Sequence, residues 1–195
     1  MRSPEVTEAM ASIGFDWIGL DMEHGSFSVG DAENAFVVCE RHGCAPLVRL
    51  PKDDPILARR LLDCGAHGFL IPCSENAETF ADFASHCIFP PHGKRGLSLE
   101  RFNFWGDEFT ATLRDFKPVL IPMIESRKGV EQAAAIAALD SVDALFFGPY
   151  DLSADLGAPG DFTSKTFLDA RDSVKESAHS NGKAVGGHQV ATEPE

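Results

Sequence analysis

The sequence lacks long apolar runs and lacks an excess of basic residues. No apolar stretch in the 195 residues approaches the length of a membrane span. Lys and Arg number 17 against 30 Asp and Glu, and the resulting net charge of −13 argues against a nucleic-acid surface. The start of the chain also lacks the apolar core of a signal peptide. These absences predict a cytoplasmic protein that binds neither membranes nor nucleic acid.

Cysteine is present, but its pattern suits neither a disulfide framework nor a zinc site. The five cysteines form an odd count, and no two of them have C-x-x-C spacing. We therefore expect buried thiols in a reducing compartment. Phosphate-loop, dinucleotide-binding, H-E-x-x-H and G-x-S-x-G motifs are absent as well. Any catalytic or ligand-binding site must therefore be built from residues outside these motifs.

Strand-like and helix-like segments alternate along the whole chain, which predicts one α/β domain over residues 1–195 with a parallel sheet. The predicted strands lie near 16–22, 46–50, 68–72, 119–125, 144–149 and 184–187. The predicted helices lie near 4–13, 29–42, 54–64, 75–87, 107–115, 127–138 and 163–181. A closed eight-stranded barrel typically takes about 250 residues. Periodicity alone therefore leaves an incomplete barrel and an open doubly wound sheet as alternatives.

Local signals at helix ends agree with this pattern. Asp53 is predicted to cap a helix whose first turn holds Pro55 and which ends at Gly65. Ser126 precedes an Ala-rich stretch, which is a strong helix former. The Pro- and Gly-rich stretch 90–96 is predicted to be a loop.

Four of the apolar segments end on charged or polar residues. In α/β sheets, ligands bind at the carboxyl ends of the strands, so these residues are expected to share one rim. They combine an imidazole, a guanidinium and carboxylates, which together can bind a divalent cation and an anionic substrate. The residues are Asp21, Glu23, His24, Arg49, Glu125 and Asp151.

Two of these residues allow alternative interpretations. His24 can act as a general base if a carboxylate fixes its tautomer, or it can be a surface residue in a turn before Gly25. Arg49, inside an apolar strand, needs an anion, which can be a substrate or a buried partner such as Asp21 or Glu23.

The remaining carboxylates differ in the partners that they need. Asp63 lies in the last turn of a predicted helix, where it opposes the macrodipole, so it needs an arginine or imidazole partner. Glu125 and Asp151 suit a hard ion such as Mg²⁺ or Mn²⁺. Asp151 can alternatively cap a turn beginning at Leu152. Gly148 would allow close approach of backbone to a ligand.

The chain resembles the HpcH/HpaI aldolase family, the metal-dependent class II pyruvate aldolases of the phosphoenolpyruvate/pyruvate barrel superfamily. The resemblance runs through nearly the whole chain, and its landmarks follow one another in the family's order. They are residues 14–25, 48–51, 62–66, 71–72, 90–96, 123–125 and 148–153. The resemblance implies a TIM-type (β/α) barrel.

The resemblance also implies roles for the candidate residues. Glu125 and Asp151 would hold Mg²⁺ or Mn²⁺, with Co²⁺ as a further candidate. Gly148 and the backbone N–H groups of Tyr150 and Asp151 would receive the pyruvate carboxylate. Arg49 would stabilise the enolate oxygen. His24, oriented by Asp63 or Asp21, would move the proton of the aldol hydroxyl. His92 and Arg95, in the loop 90–96, would contribute to recognition of the aldehyde.

The implied activity is cleavage of a 2-keto-3-deoxy or 4-hydroxy-2-oxo acid to pyruvate and an aldehyde. Family members have a further strand at each end, so the barrel is expected to be incomplete, and a homo-oligomer is expected if it is complete enough. Many members have Gln where Met123 stands. The alternatives are an acyl-CoA lyase of the citrate lyase/malyl-CoA branch and an inactive truncated barrel.

Overall fold

The computed structural model describes residues 3–188 of the chain. Within that range, helices separate each strand from the next, as the sequence predicts. The strands are β1 (Trp17–Asp21), β2 (Ala45–Arg49), β3 (Gly68–Ile71), β4 (Val119–Ile124), β5 (Ala144–Phe147) and β6 (Ala184–Gly187). The helices are α1 (Pro4–Ser12), α2 (Val29–Arg41), α3 (Pro55–Cys64), α4 (Ala77–Ser85), α5 (Phe109–Asp115), α6 (Arg127–Ala137), α7 (Pro149–Asp155) and α8 (Lys165–Ser180). A 3₁₀ segment covers Arg101–Gly106.

The chain divides into two compact units. The described part of the first unit is 3–70 and 82–119, and that of the second unit is 71–81 and 120–188. In the first unit, β2 pairs in parallel with β1 and with β3. In the second unit, β5 pairs in parallel with β4 and with β6. Each unit thus has the parallel sheet that strict alternation predicts. That the chain is one domain over 1–195 stays a prediction.

Apolar helix faces cover the strands in each unit. In the first unit, Phe36 of α2 and Leu61 and Leu62 of α3 are fully buried, as is Phe69 of β3. In the second unit, Phe147, Leu152, Phe167 and Ala170 form a buried cluster that joins β5, α7 and α8. Burial of such side chains contributes about 1.5–3 kcal/mol each. This packing fixes the strand ends from which the polar residues project.

The helix that follows β2 corrects one detail of the sequence-based prediction. Its N-cap is Asp54, not Asp53, because Oδ1 of Asp54 accepts the backbone N–H groups of Ile56 and Leu57 at 2.9 and 3.1 Å. Gly65 ends this helix with a left-handed backbone (φ 110°), as predicted. The helix predicted after Ser126 is α6, and the Ser126 side chain caps it. No helix within 3–188 is long and apolar enough to cross a membrane.

The cysteine prediction is confirmed in part. All five thiols are free, and Cys39, Cys44 and Cys87 are buried. Burial raises the pKa of the Cys39 thiol to about 11 and that of Cys87 to about 12, so both remain protonated at neutral pH. Cys64 is partly buried, and Cys73 is exposed.

Candidate active site

The carboxyl ends of β1 and β2 place an arginine beside an aspartate. Parallel pairing sets Asp21 directly opposite Arg49. The guanidinium donates from Nε to Oδ1 of Asp21 at 2.9 Å and from Nη2 to Oδ2 at 2.5 Å. Its Nη1 lies 3.2 Å from Oε2 of Glu23. The buried-pair interpretation of Arg49 is therefore confirmed, and both candidate carboxylates are partners.

These contacts fix the charge state of Asp21. Burial is the largest influence on this carboxyl and by itself raises the pKa. The hydrogen bond and charge of Arg49, together with the backbone N–H groups of His24 and Glu23, outweigh burial and hold the pKa of Asp21 below its ordinary value. Asp21 is consequently ionised at neutral pH, and it orients both the guanidinium and the chain that leaves β1.

His24 lies at the surface of the first unit. Its side chain is 68% exposed, and Nε2 lies 3.7 Å from Oε2 of Glu23. Its backbone N–H donates to Oδ1 of Asp21 at 3.1 Å. Within residues 3–188, the imidazole forms no hydrogen bond with Asp21 or Asp63. Glu23 is thus the carboxylate beside His24 in this structure, and the imidazole is accessible to a bound molecule.

Asp63 has an arginine as its partner, one of the two alternatives derived from its place in α3. Nη2 of Arg95 donates to Oδ1 of Asp63 at 2.9 Å. Arg95 is itself buried, and no part of its side chain is exposed. The expectation that Arg95 recognises the aldehyde is therefore wrong, because the guanidinium is enclosed by protein. His92 in the same loop is exposed. A catalytic role for Asp63 stays a prediction.

Glu125 follows β4 in the second unit and is only 6% exposed. Its Oε1 accepts the backbone N–H of Cys73 at 2.6 Å. Cys73 has a left-handed backbone (φ 49°), which is unusual for a residue other than glycine. If Gly148 had a side chain, its Cβ would lie only 2.6 Å from the other oxygen of Glu125, Oε2. The carboxylate therefore lies against the glycine that precedes α7.

Asp151 lies in the first turn of α7, for which Gly148 is the N-cap. The structure thus brings Glu125 into contact with a residue three positions before Asp151. The Asp151 side chain is exposed, and it does not cap a following turn. In an α-helix the first N–H groups have no intrahelical acceptor. Within the described chain, the N–H groups of Tyr150 and Asp151 form no hydrogen bond.

The carboxylates of Glu125, which follows β4, and Asp151, in the first turn of α7, are ligands of the kind that a hard divalent cation takes. Mg²⁺ commonly uses one or two protein carboxylates and takes its other ligands from water and substrate. Among residues 3–188, no group of three or more His, Cys, Asp or Glu side chains could hold a metal by itself. The chemistry of Glu125 and Asp151 fits an ion whose coordination is completed by substrate and water.

Two features of this part of the structure could not be predicted from the identities of the residues in the sequence. The donor that holds Glu125 is a backbone N–H on the segment after β3, and any residue except proline supplies one. The three Phe rings that enclose Arg95 are Phe89, Phe102 and Phe116, which follow no regular spacing. The one available signal is that the Cys73 position follows a strand, as the other site residues do.

The chain is similar to known proteins over most of its length. The family model for HpcH/HpaI aldolase/citrate lyase matches residues 1–192. The chain is 37% identical over 183 residues to a hydroxypyruvate/pyruvate aldolase from Chromohalobacter salexigens, covering 92% of this chain and 72% of the relative. It is 35% identical over 190 residues to a 5-keto-4-deoxy-D-glucarate aldolase from Enterobacter sp. (strain 638), covering 95% of this chain and 73% of the relative.

A solved structure shows the same fold. An HpcH/Hpal aldolase/citrate lyase family protein from Burkholderia cenocepacia J2315 aligns with a TM-score of 0.90 at 32% identity, covering 96% of this chain and 76% of that one. This likeness confirms the α/β class and the TIM-barrel type that the resemblance implied. The chain belongs to the HpcH/HpaI aldolase/citrate lyase family and is an enzyme of the aldolase and lyase class.

Proposed function

We propose that the protein is a divalent-metal-dependent aldolase that cleaves a 2-keto-3-deoxy or 4-hydroxy-2-oxo acid to pyruvate and an aldehyde. The observation that carries the proposal is the buried carboxylate of Glu125, held by the N–H of Cys73 and packed against Gly148 at the start of α7. The names of the relatives support the substrate class, since they include a pyruvate aldolase and a keto-deoxy sugar acid aldolase.

In this proposal, Glu125 and Asp151 hold Mg²⁺ or Mn²⁺. A bound divalent cation would stabilise negative charge that develops on the substrate oxygens during cleavage. The N–H groups of Tyr150 and Asp151 receive the substrate carboxylate, since they have no acceptor in the described chain. Gly148 contributes by having no side chain, which leaves room beside Glu125.

Cleavage requires a base and a group that stabilises the enolate. The C4 hydroxyl loses its proton to His24, directly or through water, as the C3–C4 bond breaks and the aldehyde carbonyl forms. The bonding electrons form the enolate of pyruvate, and Arg49 stabilises the negative charge on its C2 oxygen. A proton from water then adds to C3 of the enolate and gives pyruvate. Asp63 is assigned, with His24, to this proton transfer.

The strand ends that hold the site residues offer no lysine for a covalent route. The segments that end in site residues, 18–24, 47–49, 121–125 and 146–151, contain no Lys. An aldolase that uses a Schiff base needs a lysine amine at the reacting carbon. We therefore expect borohydride to leave the enzyme active in the presence of substrate.

Metal removal tests the proposal directly. Purified protein is assayed for pyruvate release from 5-keto-4-deoxy-D-glucarate before and after exhaustive chelation, and then with added Mg²⁺, Mn²⁺ or Co²⁺. We expect chelation to abolish activity and one of these ions to restore it. Glu125→Gln should remain inactive at all ion concentrations, whereas Glu131→Gln, at an exposed position on α6, should behave as wild type. Full activity after chelation would refute the mechanism.

A further inference from the structure

The connection between β3 and α4, residues 72–76, lies directly against the end of β4 in the second unit. The backbone N–H of Cys73 donates to Oε1 of Glu125 at 2.6 Å. The next N–H, that of Ser74, donates to the backbone carbonyl of Met123 at 3.1 Å. Two consecutive N–H groups of this connection thus donate to β4 and to the carboxylate that follows it.

Cys73 makes its contact with Glu125 from an unfavourable backbone conformation. Its φ of 49° lies in the left-handed region, where the Cβ of any residue other than glycine is crowded. Such a conformation persists only where the surrounding structure imposes it. A contact close to Cys73 must therefore hold the connection in this shape.

Glu75, two residues after Cys73, makes a contact of this kind. Oγ of Ser126 donates to Oε1 of Glu75 at 2.6 Å. The same Oγ accepts the backbone N–H of Gly129 at 3.0 Å, because Ser126 is the N-cap of α6. The hydroxyl is therefore fixed by α6 and joins the connection to the residue that directly follows Glu125.

The other oxygen of Glu75 contributes less to this attachment. Oε2 lies 3.4 Å from Nζ of Lys128, whose side chain is 64% exposed. Exposed ion pairs of this kind contribute little to stability. The hydrogen bond with Ser126, in which the acceptor is charged, is the stronger of the two contacts. It is therefore the contact of Glu75 that can fix the connection.

We propose that Glu75 is a positioning residue for the metal-binding carboxylate. By accepting the hydroxyl of Ser126, it holds Cys73 in the left-handed conformation, from which the Cys73 N–H orients Glu125. The inference rests on the proposed function, in which Glu125 holds the divalent cation. A Glu75 with a structural role alone would affect only stability, and a Glu75 that acts through its charge alone would attract the cation without orienting its ligand.

Two substitutions of Glu75 separate these roles. Gln keeps an oxygen that can accept the Ser126 hydroxyl but has no charge, whereas Ala removes both. We expect Glu75→Ala to weaken Mn²⁺ binding by about tenfold, which is the lower end of the effect of losing a group that orients a metal ligand. Glu75→Gln should bind Mn²⁺ more tightly than Glu75→Ala. Electron paramagnetic resonance of free Mn²⁺, without substrate, measures both affinities.

Glu78→Ala is the matched control, because it removes an exposed carboxylate from the start of α4, close in sequence to Glu75. It should bind Mn²⁺ as wild type does, and thermal unfolding shows that each variant is folded. Wild-type affinity in Glu75→Ala would assign a structural role alone. Equal weakening in Glu75→Gln and Glu75→Ala would assign the effect to charge. Either result would overturn the inference.

Substitutions of Cys73 test the conformation through which Glu75 is proposed to act. Cys73→Val should bind Mn²⁺ more weakly than Cys73→Ala, although both lack the thiol, because a β-branched residue tolerates positive φ least. Glycine adopts positive φ readily. Cys73→Gly should therefore recover most of the affinity that Glu75→Ala loses when the two substitutions are combined. Equal affinities of the Val and Ala variants, or no recovery in the combined variant, would contradict the proposed route.

A measurement on the amide of Cys73 separates this inference from the proposed function. In protein labelled with ¹⁵N at cysteine, the Cys73 signal is assigned by its loss in Cys73→Ala. A short hydrogen bond to a carboxylate deshields the amide proton, so we expect the signal to move upfield in Glu75→Ala and less so in Glu75→Gln. An unmoved signal in Glu75→Ala would refute positioning, even in a protein that binds Mn²⁺. Upfield movement in a protein that binds no Mn²⁺ would support positioning and refute the proposed metal site.

Discussion

Arg49 is the residue whose charge the proposed reaction uses most directly. Two carboxylates hold its guanidinium, so its orientation is set before substrate arrives. The contacts with Asp21 join Nε and Nη2 to the two carboxylate oxygens, and Nη1 faces Glu23. This arrangement is suited to an oxyanion, because the cation is already oriented and needs no rearrangement when negative charge develops.

Substitution of Arg49 tests that role. Arg49→Ala is expected to lower kcat by about a hundredfold or more, which is the effect of removing a major oxyanion contact. Arg60→Ala, at an exposed position on α3, is the control and should keep the wild-type rate. Steady-state kinetics at saturating metal measure the effect, and thermal unfolding shows whether both variants are folded. A near-normal rate for Arg49→Ala would exclude the assigned role.

Gly148 is a residue whose lack of a side chain matters. An added Cβ would lie 2.6 Å from Oε2 and 2.8 Å from Cβ of Glu125, although its backbone (φ −97°) suits any residue. Gly148→Ala should therefore displace the carboxylate and weaken Mn²⁺ binding by about tenfold or more, as loss of a supporting contact at a metal site does.

Electron paramagnetic resonance of free Mn²⁺ measures that affinity without any assay of activity. Gly30→Ala is the control, because nothing lies closer than 4.0 Å to a Cβ at that position. It should bind Mn²⁺ as wild type does. Equal affinity in Gly148→Ala and wild type would show that Glu125 does not depend on the glycine.

At the scale of the element, the start of α3 shows that sequence can predict an N-cap to within one residue. Asp53 and Asp54 both precede Pro55, and composition cannot choose between them. The structure selects Asp54, whose side chain accepts two N–H groups of the first turn. Which aspartate caps α3 depends on the path of the chain after β2, and the tertiary structure sets that path.

The selection of Asp54 can be measured. Asp54→Ala should lower the free energy of unfolding by about 1 kcal/mol, which is the usual cost of losing an N-cap. Asp53→Ala should change it by less than about 0.5 kcal/mol, as surface substitutions do. Urea unfolding of the two variants beside wild type gives both values. The reverse order would favour Asp53 as the cap.

Two short elements were missed by sequence analysis. α7 begins at Gly148-Pro149, which reads as a turn, and it is only seven residues long. The segment Arg101–Gly106 contains Phe104 and Trp105 in left-handed conformations (φ 50° and 54°) that no propensity predicts. Short elements depend on tertiary contacts for their stability, so local patterns identify them poorly.

At the scale of the whole molecule, the net charge of −13 has a measurable consequence. Like charges repel within a folded chain, and salt screens that repulsion. The thermal midpoint is expected to rise as ionic strength increases from about 0.01 M to about 0.15 M, where the Debye length falls from about 30 Å to about 8 Å. Calorimetry in NaCl and in KCl separates screening from specific ion effects. A midpoint that falls with salt would show that attractive ion pairs dominate.

The sequence alone determined the alternation of strands and helices, the family, and the polar residues that follow the strands. These properties are encoded in local periodicity and in the order of short motifs, which survive without knowledge of distant contacts. That Asp63 pairs with Arg95, and that Cys73 holds Glu125 through its backbone, was decided by the tertiary structure. Each pair joins residues far apart in sequence. The sequence does not show which backbone N–H will donate to Glu125, because every residue except proline has one. It also does not show that Arg95 is buried, because that depends on residues distant in the chain that pack around it.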